Sequence, residues 1–102
     1  MYKIYIAQID TETSSFLALV MMKLSANKLA VFKLTDKPSK YRLRGTYAWN
    51  TSSSELFVDT TRLISIPINQ LVGRPIGKLT SEDCMGLYKS IKPYFNEKIP
   101  EN

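Results

Sequence analysis

The chain has no histidine and only one cysteine, Cys84, in 102 residues. A lone cysteine excludes an intramolecular disulfide, and without histidine the usual zinc sites and every Ser-His or Cys-His nucleophile pair fall away. No metal or cofactor is expected, and any catalysis has to draw on Arg, Lys, Tyr, Thr, Ser or carboxylates. Acidic residues are outnumbered, 9 Asp and Glu against 14 Lys and Arg, which leaves a formal net charge of +5. That balance fits a polyanionic partner, RNA or DNA, or an acidic protein segment. A long apolar run is lacking too. The stretch Phe16 to Leu24, broken by Lys23, is too short to span a bilayer and lies behind a strand-like segment carrying Asp10 and Glu12, so neither a signal peptide nor a membrane anchor is expected and the predicted location is cytoplasmic.

What is present is ordinary for a soluble globular chain, 44% hydrophobic and 23% charged, and the length suits one domain over residues 1–102 with a small core that oligomerisation would help. Tyr2 to Asp10 alternates as a strand. Phe16 to Leu24 reads as a buried central strand, with a helix as the alternative given its Leu, Ala and Met content. Ser25 to Lys28 is a hairpin turn in which Asn27 is a candidate for positive φ, and Leu29 to Thr35 is a third strand whose pleat puts Lys33 and Thr35 on one face. Tyr41 to Trp49 alternates aromatics and Leu43 with Arg42 and Arg44 on the opposite face. Leu56 to Ile66 is one bent strand or two, bending at Asp59-Thr60-Thr61. Thr80 has the character of an N-cap, with Asp83 three residues on, and Cys84, Leu87, Tyr88, Ile91 and Phe95 form an apolar helical face that Pro93 should end or bend. The predicted fold is mainly β: five or six strands over about 2–66 and a helix over about 81–95, a small β-barrel or strongly curved sheet with the helix packed at its end.

Two stretches carry a family resemblance: Val58-Asp59-Thr60-Thr61-Arg62-Leu63-Ile64 and Ile76-Gly77-Lys78-Leu79-Thr80-Ser81-Glu82-Asp83. They resemble the V-D-Q-x-R-x-I and I-G-x-L-[ST]-x-E-[DE] segments of the MazF/PemK family of mRNA interferase toxins. Lys33-Leu34-Thr35 is similar to that family's P-[IL]-T motif without the proline. Ser14-Ser15-Phe16-Leu17-Ala18-Leu19-Val20 matches the apolar half of G-x-R-P-[AV]-[LV]-[IV] and lacks its arginine. The resemblance implies an SH3-like barrel (MazF/PemK/CcdB-like) that pairs as a homodimer, cleaves single-stranded RNA without metal and is neutralised by a cognate acidic antitoxin. It implies Thr35 as a catalytic residue; Lys33, Arg42, Arg44 and Arg62 are the candidates to replace the absent arginine, and Arg62 and Lys33 are the two expected to act with Thr35.

The cations Lys37, Lys40, Arg42 and Arg44 are the expected RNA-binding residues, and Tyr41, Tyr47 and Trp49 interleave with them. Each has a plainer reading. Thr35 suits any strand-to-turn junction, Arg62 can pair with Asp59, the basic run can be a solvated face, the aromatics can be core, and Cys84 is a small buried hydrophobe. Two other functions fit the chain: a non-catalytic binding module on the same barrel, gripping nucleic acid or a protein target as CcdB-like toxins do, and an SH3-like structural domain with no toxin role.

Overall fold

The computed structural model describes residues 5–50 and 54–98, from residue 93 onward by backbone alone. Strands β1 (Tyr5–Asp10), β2 (Ser15–Ser25), β3 (Lys28–Thr35), β4 (Tyr41–Arg42), β5 (Phe57–Pro67) and β6 (Gly77–Lys78) form one sheet in the order β4-β5-β3-β2-β1-β6. Every pairing is antiparallel, and the sheet curls into a half-barrel that helix α1 (Ser81–Lys98) follows. The mainly β architecture with a C-terminal helix is the one the residue pattern predicts. The expected start of the first strand, Tyr2 to Ile4, lies outside the described residues.

Both faces of this sheet are apolar, which explains why β2 reads as an almost unbroken hydrophobic run. On one face Ile6, Leu19, Phe32, Leu34 and Val58 pack with Tyr41 and with Leu79, Cys84, Leu87 and Ile91. On the other, Ala7, Ile9, Ala18, Leu29, Val31 and Ile66 form a second cluster as the sheet curls. Side chains such as Phe32 and Leu19, essentially inaccessible to solvent, each contribute roughly 1.5–3 kcal/mol on burial.

Irregularities in register bend the sheet. Between the pairs Val31↔Ile64 and Lys33↔Asp59, β3 advances two residues while β5 advances five, so β5 is one long strand whose extra residues fall next to the expected bend at Asp59-Thr60-Thr61. One extra residue in β2 between Lys23 and Ser25 supplies twist just before the hairpin turn. Asn27 therefore does not adopt the positive φ expected of it, because the bulge takes over the work of a primed turn.

Three further expectations are corrected. Strand β4 stops at Arg42 instead of continuing to Trp49. Its last ladder bond runs from the Leu43 N–H to the Leu56 carbonyl at 2.9 Å, after which the backbone N–H groups of Arg44 and Gly45 turn to the Asp83 carboxylate. Helix α1 continues through Pro93 to Lys98; the proline removes only one intrahelical N–H and does not terminate the helix. Tyr88 is 53% exposed and off the apolar face, since the buried stripe runs through Asp83, Cys84, Leu87 and Ile91 and leans away from it. Phe95's side chain lies outside the described residues. Among the described residues, no helix is long and apolar enough to cross a membrane.

Candidate functional site

Lys33 and Thr35 share one face of β3, the face away from α1, as their alternation predicts. Lys33 stands opposite Asp59 on β5 and lays its Nζ 4.7 Å from the centre of the Phe16 ring. Asp59 accepts hydrogen bonds from the Thr61 hydroxyl and from the Thr61 backbone N–H at 3.1 Å. Those two bonds do most to hold its carboxyl below the usual range, against a small opposing effect of burial, and the nearby Arg62 and Lys33 charges add to them. Asp59 thus feels the charge of both Arg62 and Lys33, although neither forms a salt bridge with it among the described residues. Thr35 accepts the Lys37 backbone N–H at 3.1 Å, the arrangement of a strand-to-turn junction, and among the described residues its own hydroxyl proton has no acceptor.

The expected RNA-binding cations gather elsewhere. Lys40, Arg42 and Arg44 border an open groove of about 800 Å³ between β4 and α1, where Lys89 of the helix joins them with Glu82 and Met85. Lys37 does not line it. Arg42 also pairs with Glu55 at 2.8 Å, both side chains more than half exposed, an arrangement typically worth only about 0.2–1 kcal/mol.

Beneath this groove lies a polar knot. Asp83 has no exposed surface and accepts four hydrogen bonds: from the Tyr41 hydroxyl at 2.7 Å, from the Arg44 and Gly45 N–H groups at 2.9 Å each, and from the Tyr47 hydroxyl. Thr80 caps α1, its Oγ1 accepting the Asp83 N–H at 3.2 Å. The reciprocal half of a capping box is missing, because the Asp83 carboxylate is turned toward residues 44 and 45; the Tyr47 hydroxyl accepts the Thr80 N–H at 3.0 Å instead. Desolvation, the largest influence on Asp83, pushes its pKa up, but the bonds from Tyr47, the Arg44 N–H, Tyr41 and the Gly45 N–H outweigh it and hold the carboxyl below its ordinary value. Burial, then the bond to Asp83, pushes the Tyr47 phenol up to about 12, and the same two causes raise Tyr41 further.

These shifts fix the pH window of stability. The depressed Asp83 pKa contributes stabilisation that is complete above the unfolded value, about 3.9, and is lost as pH falls through the folded value. The raised Tyr47 pKa contributes stabilisation that is complete below about 10 and is lost as pH climbs toward the folded value. The urea midpoint should therefore be flat between these limits and fall on both sides. A midpoint that held constant down to pH 2 would remove Asp83 from this role.

The chain matches no known family model, no curated protein and no solved structure. Sequence reasoning named Asp59 as a partner for Arg62 but missed its place opposite Lys33, and it missed Lys89 as a groove residue and the Tyr47 to Asp83 tie. For Lys89 a signal existed, since Met85, Lys89 and Lys92 recur at helical spacing beside the apolar stripe. For Asp83 the only signal was its type, a carboxylate at the first turn of a helix.

Gly86 has a legible reason as well. A Cβ there would lie 2.4 Å from the Tyr41 hydroxyl oxygen, which is fixed by Asp83. In Gly86→Ala a gain in helix propensity of about 1 kcal/mol is opposed by overpacking of about 1–3 kcal/mol, so a net loss of about 1 kcal/mol is expected in urea unfolding. A variant more stable than wild type would show that Tyr41 moves aside freely.

Proposed function

We propose that this protein is a toxin-like, metal-independent endoribonuclease of the MazF/PemK kind, acting on single-stranded RNA. The observation that carries the reading is the position of Lys33. In the motif where the family has its loop arginine this chain has Phe16, and the Lys33 ammonium sits 4.7 Å over that ring. A cation from β3 thus stands beside the place the arginine vacates. Support also comes from Thr35 on the same face of β3 and from Arg62 close to Asp59.

The reaction is attack of the RNA 2′-hydroxyl on the adjacent phosphorus, with loss of the 5′-oxygen and formation of a 2′,3′-cyclic phosphate and a 5′-hydroxyl. The 2′-hydroxyl gives up its proton and the departing oxygen gains one. In this reading Lys33 and Arg62 stabilise the charge that builds on the phosphorane oxygens, and the Thr35 hydroxyl donates to one of them. Asp59, whose pKa is lowered, is a weak base; its part is to lend a negative charge near the two cations. The direct assay is incubation of the purified protein with varied single-stranded RNAs in EDTA. Cyclic-phosphate and 5′-hydroxyl ends are expected, and their absence across all sequences would sink the enzyme reading.

A second reading, a binding module without catalysis, is favoured by Ser15. Beside the missing arginine its hydroxyl donates to Asp10 at 2.7 Å, and the loop Thr11 to Ser14 carries no basic residue in its sequence. Tight binding of uncut RNA, or growth arrest without cleavage, is its signature. The acidic antitoxin and the paired, two-fold state belong to the same proposal. A small acidic reading frame directly upstream of the gene would support them.

A further inference from the structure

The groove between β4 and α1 takes no part in the chemistry above, because Lys33 and Thr35 lie on the other face of the sheet. Among the described residues its lining carries Lys40, Arg42, Arg44 and Lys89 against Glu82, with Glu55 paired to Arg42 beside it. Among the described residues, Lys40, Arg44 and Lys89 form no salt bridge. In one wall Tyr41 is held by Asp83 at 2.7 Å, and Met85 on the opposite wall is 50% exposed. The cations are spread over a strand, a connection and a helix instead of converging on one point, which suits successive phosphates of a chain better than a single small anion. Met85 offers an apolar surface for a base. β4 is the edge strand, and Arg42 belongs to both surfaces: it borders the groove, and it stands in one register row with Phe57 and Thr35.

Resting on the RNA reading, we propose that this groove is a second anchoring site for single-stranded RNA, and that the strand reaches it from the Lys33 and Thr35 face by passing over β4 at Arg42. The exposed Arg42 to Glu55 pair opens as a phosphate takes Glu55's place. Short RNA occupies only the first face, and longer RNA occupies both.

The test uses 2′-O-methyl RNA, which has no nucleophile and stays intact, as a 3-mer and a 15-mer, with binding measured against salt concentration. For the 15-mer, Lys40→Ala and Lys89→Ala should each flatten the slope of log K against log salt by about 0.7, with a further loss in the double variant. For the 3-mer neither substitution should change binding. This outcome stands whether or not ordinary RNA is cut, so a failed cleavage assay leaves it distinguishable. A double variant that binds the 15-mer with wild-type affinity and slope would overturn the second site. So would an equal loss for both lengths, or a groove that takes poly-glutamate, lost in the double variant, while the 15-mer is unaffected.

Discussion

Asp83→Asn is expected to lower the unfolding free energy by about 2–4 kcal/mol, the loss of charge-assisted hydrogen bonds together with a buried donor left without its acceptor. The carboxylate accepts from two tyrosine hydroxyls and two backbone N–H groups, and asparagine presents an NH₂ group to some of these donors. At least one donor is then left buried without an acceptor. Losing the negative charge in the first turn of α1 adds to the effect through the helix dipole. The exposed neighbour Glu82 is the control, since Glu82→Gln should change stability by no more than about 0.5 kcal/mol. The acid limb of the stability profile should shrink in Asp83→Asn, because the group that titrates is gone. If the variant unfolds within 1 kcal/mol of wild type, the knot is not what fixes residues 43–47 to the helix.

The next largest effect is on rate. Thr35→Ala and Arg62→Ala should each slow the proposed RNA cleavage by about 10²–10³-fold, the loss of one donor to transition-state charge, about 2.7–4 kcal/mol. Lys33→Ala belongs with them, and it also leaves the Phe16 ring without its cation. Binding should fall much less, since these groups act most strongly on charge that develops during the reaction. Asp59→Asn has the opposite sign for binding: it removes the carboxylate that stands opposite Lys33 across the strands and should steepen the salt dependence. Wild-type rates in all three alanine variants, with the fold intact, would refute this site and leave Thr35 as a turn residue and Arg62 as a surface cation.

The fold was legible where local pattern and tertiary environment agree. Alternation in β1 and β3, the apolar run of β2, the bend near Asp59 and the Thr80 cap are all set by neighbours a few residues apart. The stretch from Leu43 to Trp49 was not legible, although it alternates like a strand. Its N–H groups at positions 44 and 45 find a better acceptor in a carboxylate 38 and 39 residues away, and nothing local announces that. Tyr88 misled for a related reason: the buried stripe shifts to include Asp83, a charged residue that pattern reading assigns to solvent. In the site, shared strand faces were legible from the period of two, which put Lys33 with Thr35. The separation of Lys40, Arg42 and Arg44 from Lys37 was not, since it depends on α1 docking beside β4.

One consequence of the knot is optical. Trp49 is the only tryptophan in the chain. It sits 4.8 Å from Tyr47, centre to centre, packs over Gly77 so closely that a Cβ there would lie 2.5 Å from its ring, and has a buried indole Nε1 without a partner among the described residues. Its neighbour Tyr47 is the residue that bonds both Asp83 and Thr80. Release of that connection from the helix wets the indole, so intrinsic fluorescence, shifting to the red, reports the state of the groove wall without any label.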